Sequence, residues 1–261
     1  MLTALTREVS STLDGCELTH LARVPIDIDR ARRQHRAYEE ALAAAGCSVE
    51  RLPSGPAMPD AVFIEDTAIV LDELAVITRP GAESRRVETA AVAEALSRHR
   101  ALQTIAEPAT MDGGDVLVVG RRVYVGRSSR TNGDAVVQLR RMLAPFDRIV
   151  CDVVVNGCLH LKSAVTLVDE NVLLMNPGWV ARAAFPDVEI VEVHPSEPMA
   201  ANALRVGDRV IYPAAFPRTA ERLARRGCLL SLVDAGELAK AEGAVTCCSV
   251  ILKTAEERRR P

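Results

Sequence analysis

The sequence predicts an α/β fold, built as a closed ring of about five hairpin-plus-helix repeats. Three observations carry this expectation. Apolar alternating segments come in pairs joined by short Asp/Gly/Glu turns. Stretches with helical periodicity lie between the pairs. The combined unit recurs at intervals of about 40 to 50 residues, a spacing typical of circular or stacked repeats.

The elements follow in order. Residues 2–9 form an N-terminal strand. IDRARRQHRAYEEALAAAG (28–46) places Ala31, Ala37, Leu42 and Ala45 near one helical face and stops at Gly46. DTAIVLDELAVITR (66–79) is a hairpin turning at Asp72 and Glu73. RRVETAAVAEALSRH (85–99) groups Val87, Ala91, Val92 and Leu96 on a second helix. DVLVVGRRVYVGR (115–127) turns at Gly120 and Arg121, and GDAVVQLRRMLAPF (133–146) supplies the next helix. AVTLVDENVLLMN (164–176) turns near Glu170 and Asn171, with only a short helical segment after it in 177–190. ALRVGDRVIYP (203–213) turns at Gly207 and Asp208 and leads to the helix RTAERLARRG (218–227). A C-terminal strand, 245–252, can pair with the N-terminal one to close the fifth unit, with helices outside the ring. No Gly/Ser/Pro-rich linker interrupts the chain, so residues 1–261 are expected to be one domain with a flexible basic tail over 254–261.

A net charge of −3 supplies no basic field for nucleic acid. The N-terminus lacks the charged and apolar regions of a signal peptide, and no apolar run is long enough for a bilayer. A cytoplasmic location is expected. Seven cysteines, an odd number, argue against a disulfide framework. No CxxC occurs and no His stands at zinc-finger spacing from a Cys pair, so a structural metal is not expected. Cys247 and Cys248 are neighbours, and a disulfide between them would strain a strand. They are either small buried hydrophobes or include one reactive thiol.

The unusual residues occupy matching places. Phe63-Ile64-Glu65-Asp66-Thr67 enters the first hairpin, Met111-Asp112-Gly113-Gly114-Asp115 the second, and Cys158-Leu159-His160-Leu161-Lys162-Ser163 the third. Thr246-Cys247-Cys248-Ser249 is read as part of the closing strand. Taken singly these are ordinary: a solvated acidic turn, a glycine turn, a core histidine. In a ring, equivalent positions converge on the axis. Carboxylates, a histidine and a cysteine would then meet, a set suited to nucleophilic attack on a cationic guanidinium. The His would perform acid/base work, an Asp would orient it, and substrate charge would favour the thiolate.

PDAVFIEDTAIV, ITRPGAESRR, MDGGDVLVVGRRVYVGRSSRTN, GCLHLKS and AVTCCSVIL resemble, in order, segments of the dimethylarginine dimethylaminohydrolases, within the guanidine-modifying superfamily. The resemblance implies that superfamily's five-bladed α/β propeller (pentein). It implies that Cys247 is the nucleophile, His160 the general acid/base and Asp112 its acidic partner. Asp66 would bind the guanidinium, with Glu65 beside it. Asp60 would reach the α-amino side, and Arg85 and Arg130 the α-carboxylate, for which planar guanidinium forks are suited. Arg85 could instead be a solvated charge at a helix start. The segment around Leu18 corresponds to the family's lid, and Ala241 and Glu242 would offer backbone contacts. The implied reaction is hydrolysis of N-methylated arginine to citrulline and a methylamine. A deiminase-like guanidine hydrolase, an amidinotransferase and an inactive binding ring are the alternatives. The chemistry calls for a small guanidine as partner, and for no metal, cofactor, nucleic acid or membrane. A homodimer is allowed without being required.

Overall fold

The computed structural model describes residues 2–254, so the basic tail lies almost wholly outside the described residues. The chain opens with strand β1 (Leu2–Arg7), helix α1 (Ile28–Ala44) and strand β2 (Cys47–Leu52). Next come β3 (Ala68–Val70), β4 (Ala75–Ile77), α2 (Thr89–Ser97) and β5 (Leu102–Thr104). The third unit is β6 (Val116–Val119), β7 (Arg122–Arg127), α3 (Gly133–Leu143) and β8 (Ile149–Val154). A single helical turn, α4 (Leu161–Ala164), leads into β9 (Val165–Asp169), β10 (Val172–Met175) and β11 (Glu189–Glu192). The last elements are β12 (Leu204–Val206), β13 (Arg209–Pro213), α5 (Pro217–Arg225), β14 (Leu229–Val233), α6 (Gly236–Ala239) and β15 (Val250–Lys253).

These strands make five three-stranded sheets with one shared pattern. The first two strands of each sheet are antiparallel, and the third is parallel to the second. Parallel neighbours need a crossover, which explains why a helix follows the second strand in four of the five sheets. In the β9–β11 sheet the crossover has only a 3₁₀ turn at Arg182–Ala184, where the sequence pattern is weakest. The fifth sheet is closed by the two chain ends, with Leu2 opposite Lys253 and Leu5 opposite Val250. The first strands of all five sheets line one axial cavity of about 220 Å³. Among the described residues no helix is long and apolar enough to cross a membrane.

Local signals account for the element ends. Asp27 caps α1 by accepting from the Arg30 N–H at 2.9 Å, and Asn132 caps α3 by accepting from Ala135 N–H at 3.1 Å. Gly46, with φ of 91°, ends the chain's first helical run in the left-handed region.

Three local expectations change. The buried face of α1 is Ala31, Gln34, His35, Tyr38, Glu39 and Leu42, while Ala37 is exposed. Apolar counting misses this face because Glu39 brings its own partners, Thr6 and Arg51. Residues 83–88 form a 3₁₀ turn before α2, which rotates Val87 outward and buries Arg85 and Glu88. Residues 246–249 are not strand but turn, with Cys247 N–H bonded to Ala244 O and Ser249 N–H to Thr246 O; β15 begins only at Val250.

Candidate active site

Each sheet's first strand is entered through a short turn near the ring axis. The 3₁₀ turns Ile64–Thr67 and Gly113–Asp115, the α4 turn, and residues 246–249 bring Asp66, Asp112, His160 and Cys247 to one pocket. Asp60, Phe63, Arg85, Arg130, Leu159, Glu17 and the run Ala241-Glu242-Gly243 complete its lining.

His160 lies between two carboxylates. Its Nε2 is 3.0 Å from Asp112 Oδ2, and its Nδ1 is 3.8 Å from Asp66 Oδ1. Burial alone would lower its pKa, but Asp66, the Asp112 hydrogen bond and Asp115 raise it to about 9. The ring is therefore an imidazolium at neutral pH. Burial opposes ionisation of Asp66, but His160 and Arg85 hold its carboxyl below the usual range. Burial, followed by the charges of Glu65 and Asp66, pushes the Cys247 thiol up to about 12. The resting pocket thus pairs a protonated histidine with a protonated thiol.

The two central glycines of the Asp-Gly-Gly-Asp run are needed for this closeness. A Cβ on Gly113 would sit 2.1 Å from Glu65 O, and one on Gly114 would sit 2.7 Å from both Asp66 Oδ1 and His160 Nδ1. Asp66, Asp112 and His160 could present three ligand atoms within 4.8 Å of one another to a metal ion. The protein's own cations already serve these carboxylates: Arg85 Nη1 is 2.5 Å from Asp66 Oδ2, and the imidazolium faces Asp112.

The remaining expected residues separate into groups. Asp60 lines the pocket, and burial lifts its carboxyl to about 6 against the pull of Arg85. Arg130 lines it too, donating from Nη2 to Thr19 Oγ1 at 3.2 Å. Arg85 is no solvated charge. It is 4% exposed and donates to Asp66, to Glu88 and to the carbonyls of Asp60 and Phe63. Glu65 turns away from the pocket into the axial cavity, where Lys162 Nζ donates to it at 2.6 Å and Thr246 Oγ1 at 2.9 Å. Leu18 packs half-buried on the core instead of lining the pocket. Cys248 is 1% exposed and bonds Ala244 O through Sγ, whereas Cys247 is half-buried and lines the pocket.

Known proteins resemble this chain over most of its length. The family model for N,N dimethylarginine dimethylhydrolase, eukaryotic, matches residues 22–184. The N(G),N(G)-dimethylarginine dimethylaminohydrolase of Streptomyces coelicolor is 44% identical over 96% of each chain. That of Pseudomonas aeruginosa is 37% identical over 92% of this chain and 94% of its own. The chain belongs to the dimethylarginine dimethylaminohydrolase family. A structure of the P. aeruginosa family member, a Cys-to-Ser mutant complexed with citrulline, superposes with a TM-score of 0.92 at 34% identity, over 97% of this chain and 100% of that one. The five-bladed α/β propeller is thus shared with a solved dimethylarginine dimethylaminohydrolase.

In this member of the dimethylarginine dimethylaminohydrolase family the pocket is nearly closed, with about 20 Å³ free, space for roughly one water molecule. The closing element is the loop around residues 17–21. Asp60 accepts the Glu17 N–H, and the Glu242 carboxylate accepts N–H groups from Thr19, His20 and Leu21 at 2.5 to 3.1 Å. Glu242 therefore contributes its side chain, not only its backbone, and it does so from a left-handed φ of 58°. Gly243 follows because a Cβ there would meet Phe63 Cε1 at 2.0 Å.

Sequence reasoning also missed Asn202, which stands two residues before β12 as Asp66 stands two before β3. Its amide donates to Thr246 Oγ1 and Lys162 O and accepts the Thr246 N–H, fixing the turn that carries Cys247. Its position in the repeat was the available signal. Asp115 was hidden in plain view; it accepts from Leu161 N–H, Ser128 and Thr131 and so anchors the turn after His160.

Proposed function

We propose that the protein hydrolyses N-methylated arginine, asymmetric dimethylarginine or monomethylarginine, to citrulline and a methylamine through a covalent cysteine intermediate. The observation that carries this reading is the meeting of Cys247, His160 and Asp66 in one buried pocket. An excess of carboxylate there suits a cationic guanidinium, which Asp66 would hold by charge-assisted hydrogen bonds. The cation offsets the charges of Glu65 and Asp66 that keep the thiol protonated, so substrate arrival favours the thiolate, its proton passing to solvent because His160 already carries one. Sulfur then attacks the guanidinium carbon to give a tetrahedral adduct. His160, held by Asp112, delivers its proton to the departing methylamine nitrogen, leaving an S-alkylthiouronium on Cys247. The neutral imidazole next takes a proton from water as it attacks the same carbon. Loss of the thiolate gives the ureido group of citrulline, and reprotonation restores the resting pair.

Asp60 and Arg130 line the same pocket and suit the ammonium and carboxylate of an amino-acid substrate. Arg85 suits a different task, orienting Asp66, since its own donors are engaged by protein acceptors. The reading extends to a cytoplasmic enzyme acting on a freely diffusing guanidine, and a homodimer is compatible with it. The test is a citrulline assay against arginine and its mono- and dimethyl derivatives without an added amine. Larger kcat/KM for a methylated arginine is expected; a larger value for arginine replaces the reading with a deiminase.

A further inference from the structure

A second cleft, of about 380 Å³, opens between α1 and the segments after β1 and β2, and shares no lining residue with the catalytic pocket. Its chemistry is cationic on one wall. Arg32 and Arg36 stand one turn apart on α1, an arrangement whose mutual repulsion costs helix stability unless an anion is shared. Arg36 makes no ion pair among the described residues, and Arg32 has only the exposed Asp29. Arg51 faces them from β2, with Nε and Nη2 held by the buried Glu39, which fixes the guanidinium plane. Ser54 adds a hydroxyl, while its N–H is taken by Glu8, the acidic member of the lining.

Beside these charges lies an unpaired polar atom. His35 is 3% exposed, lines the cleft, and its Nε2 has no hydrogen-bond partner. Buried polar atoms are seldom left so, because an unmade hydrogen bond there carries the full desolvation cost. Nδ1 is 3.7 Å from Glu39 Oε1, beyond hydrogen-bond length, so the ring proton is free to reside on Nε2 and donate. Burial, with the nearby charges of Arg51 and Arg36, keeps the ring neutral, its pKa lowered to about 4 in spite of Glu39.

We propose that this cleft binds a small oxyanion, a carboxylate or phosphate, with Arg36, Arg32 and Arg51 supplying charge and His35 Nε2 and Ser54 supplying neutral hydrogen bonds. The site is independent of the reaction proposed above. The chemistry favours the oxygens of a carboxylate or phosphate because guanidinium groups and two neutral donors line one cleft.

The test uses the full chain labelled with ¹⁵N-histidine, in a buffer free of both anions and at constant ionic strength set with chloride. Sodium phosphate and sodium acetate are titrated separately while the ring-nitrogen resonances of His35, assigned with His35→Gln, are followed. A saturable shift of Nε2 is expected with at least one anion; the tighter of the two identifies the phosphoryl or the carboxylate class. Arg36→Gln, at an exposed position, should weaken the apparent affinity about tenfold or more, as loss of a charge-assisted contact implies. Absence of a saturable shift with either anion overturns the proposal. So does unchanged affinity in both Arg36→Gln and Arg32→Gln.

Discussion

Arg85 Nη1 stands 2.5 Å from Asp66 Oδ2, and neither side chain is more than 5% exposed. The guanidinium is also bound by Glu88, itself buried, so one cation holds two carboxylates, Asp66 in the wall of the pocket and Glu88 behind it. Removing it leaves Glu88 without its main counter-charge and Asp66 with His160 alone. Arg85→Ala should therefore cost about 3–5 kcal/mol of folding stability, read from urea midpoints. Arg130→Ala, at a half-exposed position, should instead raise KM with little change in stability. If Arg85→Ala keeps wild-type stability and only raises KM, Arg85 binds substrate directly.

His160 ties stability to pH. Its folded pKa of about 9 lies above the ordinary 6.5, so its contribution is fully present below pH 6.5 and is lost as pH rises through about 9. Comparing urea midpoints of wild type and His160→Gln below and above this window isolates the effect. Wild type should lose stability across it relative to the variant. Parallel curves would mean that the imidazolium is not held by Asp66 and Asp112.

Glu242 links the loop to the pocket. Glu242→Gly removes the carboxylate that binds the Thr19, His20 and Leu21 amides while suiting the left-handed backbone. Amide hydrogen exchange at those three residues should accelerate, with the ring strands unaffected. Unchanged exchange would show that the loop is held by Asp60 and Arg130 alone.

The ring was readable because each hairpin carries its own alternation and turn: Gly120 and Gly207 adopt the left-handed φ that a tight turn needs. The matching positions of Asp66, Asp112 and His160 followed from the repeat. Contacts that depend on side-chain direction were not readable. Glu65 and Asp66 are adjacent, yet one faces the axial cavity and the other the catalytic pocket. The Cys247 segment looked like strand because it is apolar and β-branched, but the closing strand shortens where Glu65 N–H bonds Cys247 O. Buried Arg85, Glu88 and Glu39 escaped apolar periodicity because their burial is secured by ion pairing.

The separate fates of the neighbouring thiols are decided by the turn they occupy. Cys248 packs into the cluster with Tyr38 and Leu42, and Cys247 opens on Asp66 and His160. Cys248→Ala should keep turnover with a modest stability loss, and Cys247→Ser should abolish it. The most direct measurement is to quench the wild-type enzyme during turnover of methylated arginine and locate the substrate-derived mass by peptide mass spectrometry. A substrate-derived adduct joined through the former guanidinium carbon to Cys247 Sγ is predicted. An adduct on Cys248, or citrulline formation undiminished in Cys247→Ser, would contradict the account.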